Sequence, residues 1–252
     1  NGPDRGLHRP SFGMRMTSLR ALLQWTTILP LGAPADFEAF ARRSWLYPAA
    51  GYVTGGIAAL IAMAVPDTGV AAALALAAVV LLSGGNHLDG LLDFGDGMMA
   101  HGSREVRIRA LTDRQIGTGG VAAGILIYLV SFAGLSAGPS VPCAILAGEV
   151  LSKGALAVLT VTGAPFREEG IHHFLHARAR AYFLPLAVLL CLPLLATGIP
   201  AVRLAAGFAT ALLVTGGMQF LAGRLFGGVN GDVAGATHEI VRAAVILAFA
   251  FA

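Results

Sequence analysis

Three aspartates lie within eight residues in the segment SGGNHLDGLLDFGDGMMAHGSRE, 83–105. Spacings of four and seven place Asp93 and Asp96 within about 40° of Asp89 around a helix. Carboxylates stacked on one helix face repel each other, so protons, an arginine or a bound cation must compensate. Mg²⁺ prefers oxygen ligands and is often shared with substrate phosphates. The segment therefore predicts metal-assisted phosphoryl chemistry, and Asp113 in the next loop is a further candidate ligand.

Two other interpretations of these acids stay open. A solvated helix end would leave the carboxylates facing water, and a transporter would use intramembrane acids as a proton or cation path. The acids lie where an apolar run ends, and no matching acidic cluster lies in the middle of another apolar run. This position favours a site at the membrane surface.

Two further groups of polar side chains are candidates for a functional role. Glu149 and Lys153 lie four residues apart within an apolar run. The spacing suits an intrahelical ion pair, and buried charges also line cavities, where Lys153 would lie near a phosphate. The sequence HHFLH, 172–176, could place two histidines on one helix face. A zinc site needs more partners than this, so metal binding there is disfavoured.

The composition excludes a soluble enzyme, a disordered chain and a coiled coil. Of 252 residues, 56% are hydrophobic and only 12% are charged, with a mean hydropathy of +0.74. Soluble domains carry about 25% charged residues. The run VAAALALAAVVLLS, 70–83, does not alternate as a barrel strand would. The expected fold is all-α, a polytopic helical integral membrane protein with about seven transmembrane helices.

The apolar runs predict the boundaries of these helices. The predicted spans are 44–65, 70–98, 117–136, 141–163, 181–198, 203–226 and 232–252. The run 17–31 is short and interrupted, so it would span, re-enter or lie on the membrane. Residues 1–16 are predicted to be a disordered or artificial N-terminal extension, and 17–252 a single transmembrane transferase domain.

Basic residues indicate the orientation. Lys153 is the only lysine among 17 basic residues, and the arginines gather before the first span and in the loops after the even-numbered spans. This asymmetry places those segments in the cytoplasm. We therefore expect a multi-pass protein of the cell (inner, cytoplasmic) membrane, embedded in the lipid bilayer, with its active site on the cytoplasmic side. No basic run suits nucleic acid.

The acidic segment also carries a resemblance. NHLDGLLDFGDG, 86–97, followed by SRE and by TDRQIGTGG, 112–120, resembles the hallmark of the cobalamin synthase family of membrane enzymes. FREEGI, 166–171, is similar to that family's RxEG loop. FGGVNGDVAGATHE, 226–239, is similar to its GGxTGDxxGAxxE stretch, with Asn230 where threonine is usual. The four blocks keep the family's order.

Two weaker similarities accompany these blocks. WTTILPLG, 25–32, resembles the family's F-x-T-R-[IL]-P opening, with Ile28 in place of arginine, so the resemblance runs from about residue 17 to the end. DFGDGMMA, 93–100, resembles the DxxDGxxA opening of CDP-alcohol phosphotransferases, with His101 where their arginine stands. The second similarity implies shared metal chemistry and a CDP-alcohol-phosphotransferase-like helical architecture.

The resemblance implies an adenosylcobinamide-GDP ribazoletransferase activity. Such an enzyme transfers phosphocobinamide from adenosylcobinamide-GDP to a hydroxyl of α-ribazole or α-ribazole 5′-phosphate, in the last assembly steps of cobamide (vitamin B12) biosynthesis. GMP leaves, and Mg²⁺ is the required cofactor. Two alternatives stay open: a lipid enzyme that uses a CDP-alcohol donor and, less favoured, a membrane transporter. Homo-oligomerisation is left open.

Roles follow for individual residues of this sequence. Phosphoryl transfer depends mainly on positioning and on neutralising phosphate charge. The expected Mg²⁺ ligands are Asp89, Asp93, Asp96 and Asp113. The expected catalytic residues are Asp93, Asp96, Asp113 and His87, with one acid or His87 as the base. The expected substrate-binding residues are Arg104, Arg114, Lys153, Asn230 and Asp232.

Overall fold

A computed structural model describes residues 12–252, with side chains from residue 16 onward. The expectation for residues 1–16 therefore falls largely outside the described chain and stays a prediction. Twelve α-helices and two 3-10 turns make up the described part, without a β-strand. The helices are α1 Phe12–Thr26, α2 Phe37–Ala41, α3 Tyr47–Met63, α4 Thr68–Leu82, α5 Asn86–Met99, α6 Arg104–Leu111, α7 Thr118–Ala137, α8 Val141–Thr162, α9 Gly170–Arg178, α10 Phe183–Cys191, α11 Ala201–Leu225 and α12 Gly231–Phe251. The 3-10 turns are Ser44–Leu46 and Leu192–Ala196.

Five elements are long and apolar enough to cross a membrane. They are α3 with its preceding turn, α7, α8, α11 and α12. Two bent helix pairs raise the number to seven if each pair counts as one span. The polytopic helical fold expected from composition is therefore confirmed, and five predicted spans agree with these elements to within about three residues.

Of the other two predicted spans, 70–98 is wrong as a straight helix. The predicted span 70–98 breaks between α4 and α5, which are inclined at 94°. Gly84 and Gly85 adopt φ values of +63° and +74°, a left-handed conformation that glycine tolerates best. The predicted span 181–198 corresponds to the helical segment from Phe183 to Ala196, which qualifies as a membrane span only together with α9, inclined to it at 102°.

The run 17–31 does not form one continuous helix. Helix α1 ends at Thr26, and an irregular segment leads to α2. The side chain of Gln24 fixes this segment: its Nε2 donates to the carbonyl oxygen of Ala33 (2.9 Å), and its Oε1 accepts from the backbone N–H of Ala35 (2.7 Å). In the described chain α1 is not among the helices long and apolar enough to span.

Helix α8 lies at the centre of the bundle. Its membrane-crossing stretch is 78% buried, the largest share among the five spanning elements of the described chain. Helix α3 packs directly on it, because a β-carbon at Gly51 would lie 2.6 Å from the Cα of Val150. Helices α10, α11 and α12 cover other sides of α8. The ends of α8 and α12 therefore determine where functional groups meet.

Candidate functional site

Helix α5 crosses the start of α12 at very close range. A β-carbon at Gly90 would lie 2.8 Å from the carbonyl oxygen of Asp232 and 3.2 Å from the Cα of Gly235. This approach brings a fourth acid to the three on α5. The carboxylates of Asp232, Asp89 and Asp96 all act electrostatically on Asp93, which is half-buried. The bend at residues 83–85 makes this arrangement, because a straight helix would carry the acids away from α12.

Asp96 is engaged by the backbone of α7. Its two carboxylate oxygens accept hydrogen bonds from the N–H groups of Gly117 (2.7 Å) and Gly120 (2.8 Å). A carboxylate at a helix N-terminus satisfies free donors and opposes the positive end of the helix dipole. A β-carbon at Gly95 would lie 2.7 Å from the carbonyl oxygen of Gly119, so the two helices touch. Asp96 therefore fixes α5 to α7.

Asn230 and Asp232 form one unit at the start of α12. The side-chain oxygen of Asn230 accepts from the N–H of Val233 (3.0 Å) and caps the helix. Its Nδ2 donates to a carboxylate oxygen of Asp232 (2.7 Å). Asn230 is buried, so its direct role here is to hold Asp232.

Two arginines bring positive charge to the segments next to the start of α12. The N–H of Val229 donates to the carbonyl oxygen of Ala164 (2.9 Å), which joins the loop before α12 to the loop after α8. Arg167 in the second loop acts electrostatically on Asp232. On the other side, the guanidinium of Arg104 would lie 3.1 Å from a β-carbon at Gly227. Arg167 was missed as a site residue, although FREEGI gave the signal.

The remaining loop residues lie further out. Asp113 occupies an exposed loop, where it accepts from the N–H of Gln115 (3.1 Å), and it is not among the acids that act on Asp93. Arg114 is exposed in the same loop. Arg107 instead donates to the carbonyl oxygen of Met98 (2.7 Å) near the C-terminus of α5, a structural contact.

The acids suit a hard divalent cation in their chemistry. Asp89, Asp93 and Asp232 act on one another electrostatically and offer oxygen donors only. Among the described residues, no group of three or more His, Cys, Asp or Glu side chains is arranged so that it could by itself hold a metal ion. Mg²⁺ does not require one, because it usually keeps several waters and uses one or two carboxylates with substrate phosphates. Its donor preference fits these residues.

A second cluster of charges lies inside the bundle. Lys153 donates to Glu149 (2.6 Å) and to the hydroxyl of Thr54 (3.1 Å), which in turn donates to Glu149 (2.5 Å). The predicted intrahelical pair is thereby confirmed. Both side chains are buried, and Arg242 adds a hydrogen bond to Glu149 (3.1 Å). Lys153 is thus directed at Glu149 and Thr54.

Helix α12 supplies the other half of this cluster. Arg242 pairs with Glu239 and also donates to the hydroxyl of Tyr128 (3.0 Å). The Tyr128 hydroxyl donates to Glu239 (2.9 Å), and Nε2 of His238 lies 3.6 Å from Glu149. Sequence reasoning missed Arg242 altogether. The available signal was an arginine in the middle of an apolar span, which is costly unless paired.

His87 connects the two clusters. Its ring packs against that of His238, with centroids 4.1 Å apart and the ring planes tilted by 44°, and its Nδ1 has no hydrogen-bond partner in the described chain. By contrast, Nε2 of His172 and Nδ1 of His176 bond the carbonyl oxygens of Gly163 (2.8 Å) and Thr160 (3.0 Å). These two histidines therefore cap the end of α8.

Fold and site together define a helical multi-pass membrane protein with an acidic site where α12 begins and α8 ends. The family model for cobalamin-5-phosphate synthase matches residues 18–250. The chain belongs to that family, as the resemblance had indicated.

Curated relatives extend this match over most of the chain. A protein of Halorubrum lacusprofundi named adenosylcobinamide-GDP ribazoletransferase is 37% identical over 92% of this chain and 96% of its own. Proteins with the same name from Methanocella arvoryzae and Pyrobaculum calidifontis are 33% and 35% identical, covering 93% and 92% of this chain and 95% and 98% of their own. No solved structure matches the chain.

Proposed function

We propose that this protein is a cobamide-assembling adenosylcobinamide-GDP ribazoletransferase of the phosphotransferase type. It transfers phosphocobinamide from adenosylcobinamide-GDP to a hydroxyl of α-ribazole or α-ribazole 5′-phosphate, and GMP leaves. The observation that carries the proposal is the convergence of the family's acidic segment, 86–97, with its Gly-rich block, 226–239, at the Gly90–Asp232 contact. Family membership favours this donor over a CDP-alcohol and over transport.

Asp89, Asp93 and Asp232 are the residues we assign to Mg²⁺. When bound, the ion would neutralise charge on the non-bridging phosphate oxygens. Asp232 joins the set because the α5–α12 contact places it beside Asp93. Asp96 keeps α5 on α7, and Asp113 remains a candidate outside this group.

Arg104 and Arg167 are the residues we assign to the donor's phosphates. They flank the loop that leads into α12, one beside Gly227 and one beside Asp232. A guanidinium binds phosphate through paired N–H groups and offsets its charge. Arg114 is a more distant candidate, since it lies exposed beside Asp113.

The proton of the attacking hydroxyl needs an acceptor at the acids. Asp89 and His87 both line a cavity next to Asp232, and either can take a proton from a hydroxyl placed there. Lys153 is assigned to the buried cluster and not to substrate, because its ammonium group already donates hydrogen bonds to Glu149 and Thr54.

We also propose that the site faces the cytoplasm of the cell membrane. The acids share one end of the bundle with α6 and the loop after α8, which carry Arg104, Arg107, Arg109 and Arg167. Short loops rich in arginine stay on the cytoplasmic side. Labelling of an Arg109→Cys variant by an impermeant maleimide tests this: we expect reaction in inverted vesicles and none in right-side-out cells.

GMP release by the purified protein in detergent tests the activity. The assay holds adenosylcobinamide-GDP, α-ribazole and Mg²⁺, and parallel samples lack α-ribazole or contain EDTA. We expect release that needs both α-ribazole and the metal. Folded protein that releases no GMP would remove the proposed activity, and CDP-alcohol donors would then be tested.

A further inference from the structure

A cavity of about 490 Å³ lies beside the acids, lined by residues of α1, α3, α5, α8, α9 and α12. One part of its lining, the apolar wall, is apolar and partly aromatic, and another part, the polar wall, carries polar side chains. The apolar wall includes Trp25, Tyr47, Leu156, Ile171 and Leu175. The polar wall includes Asn86, His87, Asp89 and Asp232. The cavity therefore shares two acids with the proposed reaction site.

The polar wall includes a buried histidine. His87 is 8% exposed, and its Nδ1 has no hydrogen-bond partner among the described residues. Because that nitrogen is itself enclosed by protein, a ligand in the cavity can reach only the part of the ring that stays exposed. Gly231 leaves room on the same wall, since no non-neighbouring atom of the described chain lies within 4 Å of a β-carbon placed there.

Trp25, on the apolar wall, is held in place by neighbouring residues. The Trp25 ring lies 4.6 Å from that of Phe37, measured between centroids. Gln24, the residue before it, is bonded to the backbone of Ala33 and Ala35. Trp25 is nevertheless 43% exposed, so one part of the indole is free to contact a ligand. A fixed aromatic face suits stacking with a planar ring.

The size and charge of the cavity indicate which of the two substrates of the proposed reaction it fits. A pocket of this volume suits a ligand of drug size, whereas a corrinoid that carries GDP is far too large for it. Arg104 and Arg114 do not line the cavity, so its walls lack these two phosphate-binding candidates. The cavity thus fits an uncharged aryl nucleoside better than it fits the donor.

We propose that this cavity binds the nucleoside acceptor, α-ribazole, and so determines where its hydroxyl enters the site. The aryl base packs against Trp25 and Tyr47, and the ribose points its hydroxyls toward Asp89, His87 and Asp232. The inference rests on the proposed function, because it takes the acceptor from that reaction.

Kinetics of Trp25 variants test the assignment. We expect Trp25→Leu to raise the KM for α-ribazole about tenfold while the KM for adenosylcobinamide-GDP stays unchanged, because one ring-stacking contact is lost. Trp25→Phe keeps an aromatic face and should stay within about threefold of the wild type. Trp45→Leu is the matched control, since Trp45 packs against a core cluster and does not line the cavity.

A second variant tests the cavity without removing a ring. Ile171 is exposed on the apolar wall, so Ile171→Trp can fill the space without disturbing the core. We expect it to raise the KM for α-ribazole more than Trp25→Leu does. An unchanged acceptor KM in both variants, or an effect on the donor KM alone, would overturn the assignment.

Equilibrium dialysis separates failure of this assignment from failure of the proposed activity. Wild-type turnover reports on the activity, whereas binding of radiolabelled α-ribazole, with and without the donor, reports on the cavity. Binding that Trp25→Leu and Ile171→Trp weaken supports the assignment even if no GMP is released. Wild-type protein that binds no α-ribazole under either condition contradicts it.

Discussion

The molecule holds two clusters of ionised side chains that differ in how their charges are matched. Inside the bundle, the acids Glu149 and Glu239 face the bases Lys153 and Arg242, so the formal charges balance. At the α5–α12 crossing, Asp93 feels the charges of three other carboxylates and, among the described residues, of no base, and Arg167 acts on Asp232. In a balanced cluster the side chains neutralise one another's charges, whereas an unbalanced cluster is suited to bind a cation or a phosphate-bearing substrate.

The largest effect is expected from breaking the balanced cluster. Arg242→Met removes the shared partner of Glu149 and Glu239 and leaves buried negative charge, which should lower the free energy of unfolding by about 3–5 kcal/mol. Thermal unfolding in detergent measures this, with Arg224→Met at an exposed position as the control. Unchanged stability together with lost turnover would show that the two clusters are not separate in function.

The next largest effect is expected from a change in the unbalanced cluster, the acids at the α5–α12 crossing. Asp93→Asn keeps the shape of the side chain but removes one negative charge at the centre of the acids, so GMP release should fall about 10²- to 10³-fold. The unfolding midpoint should not decrease, because repulsion among the acids is relieved. Asp67→Asn, at the N-cap of α4, is the matched control. A destabilised protein with near-normal turnover would assign Asp93 to the fold.

A change at Asp96 is expected to affect both the stability of the fold and turnover. Asp96→Asn loses charge-assisted bonds to the N-terminus of α7, which should cost about 1–2 kcal/mol of stability. We expect turnover to fall by less than in Asp93→Asn. Measuring both stability and GMP release in the two variants side by side ranks their roles, and a reversed order would make Asp96 the principal ligand.

The smallest effect is expected at Asn230. Asn230→Thr keeps an oxygen that can cap α12 but loses the amide that donates to Asp232. Turnover should fall only a few-fold, with more Mg²⁺ needed for half-maximal rate and stability within about 0.5 kcal/mol of the wild type. A magnesium titration of activity checks this. The same magnesium requirement in both proteins would show that Asn230 does not position Asp232.

Sequence reasoning predicted what depends on local composition. Apolar length predicted the straight spans, and the spacing of Asp89, Asp93 and Asp96 predicted an acidic site before any tertiary contact was known. The intrahelical pair of Glu149 with Lys153 followed from spacing in the same way.

Features that depend on tertiary contacts were missed. The break at Gly84 and Gly85 lies inside the predicted span 70–98, because hydropathy averaged over a long run does not distinguish a bend from a straight helix. Arg242 finds its partner Glu149 93 residues earlier in the chain, so no local pattern connects them. Asp232 was assigned to substrate because its closeness to Gly90 exists only after α5 and α12 have packed.

The buried ion pairs within single helices also affect how the chain enters the membrane during synthesis. Glu149 pairs with Lys153 on α8, and Glu239 pairs with Arg242 on α12. Each of these helices can therefore leave the translocon with these opposite charges already neutralised by its own neighbour. A lone charge at the centre of a span would cost about 2.5–3.5 kcal/mol at that step. The bonds between α8 and α12 then need to form only once both helices are in lipid.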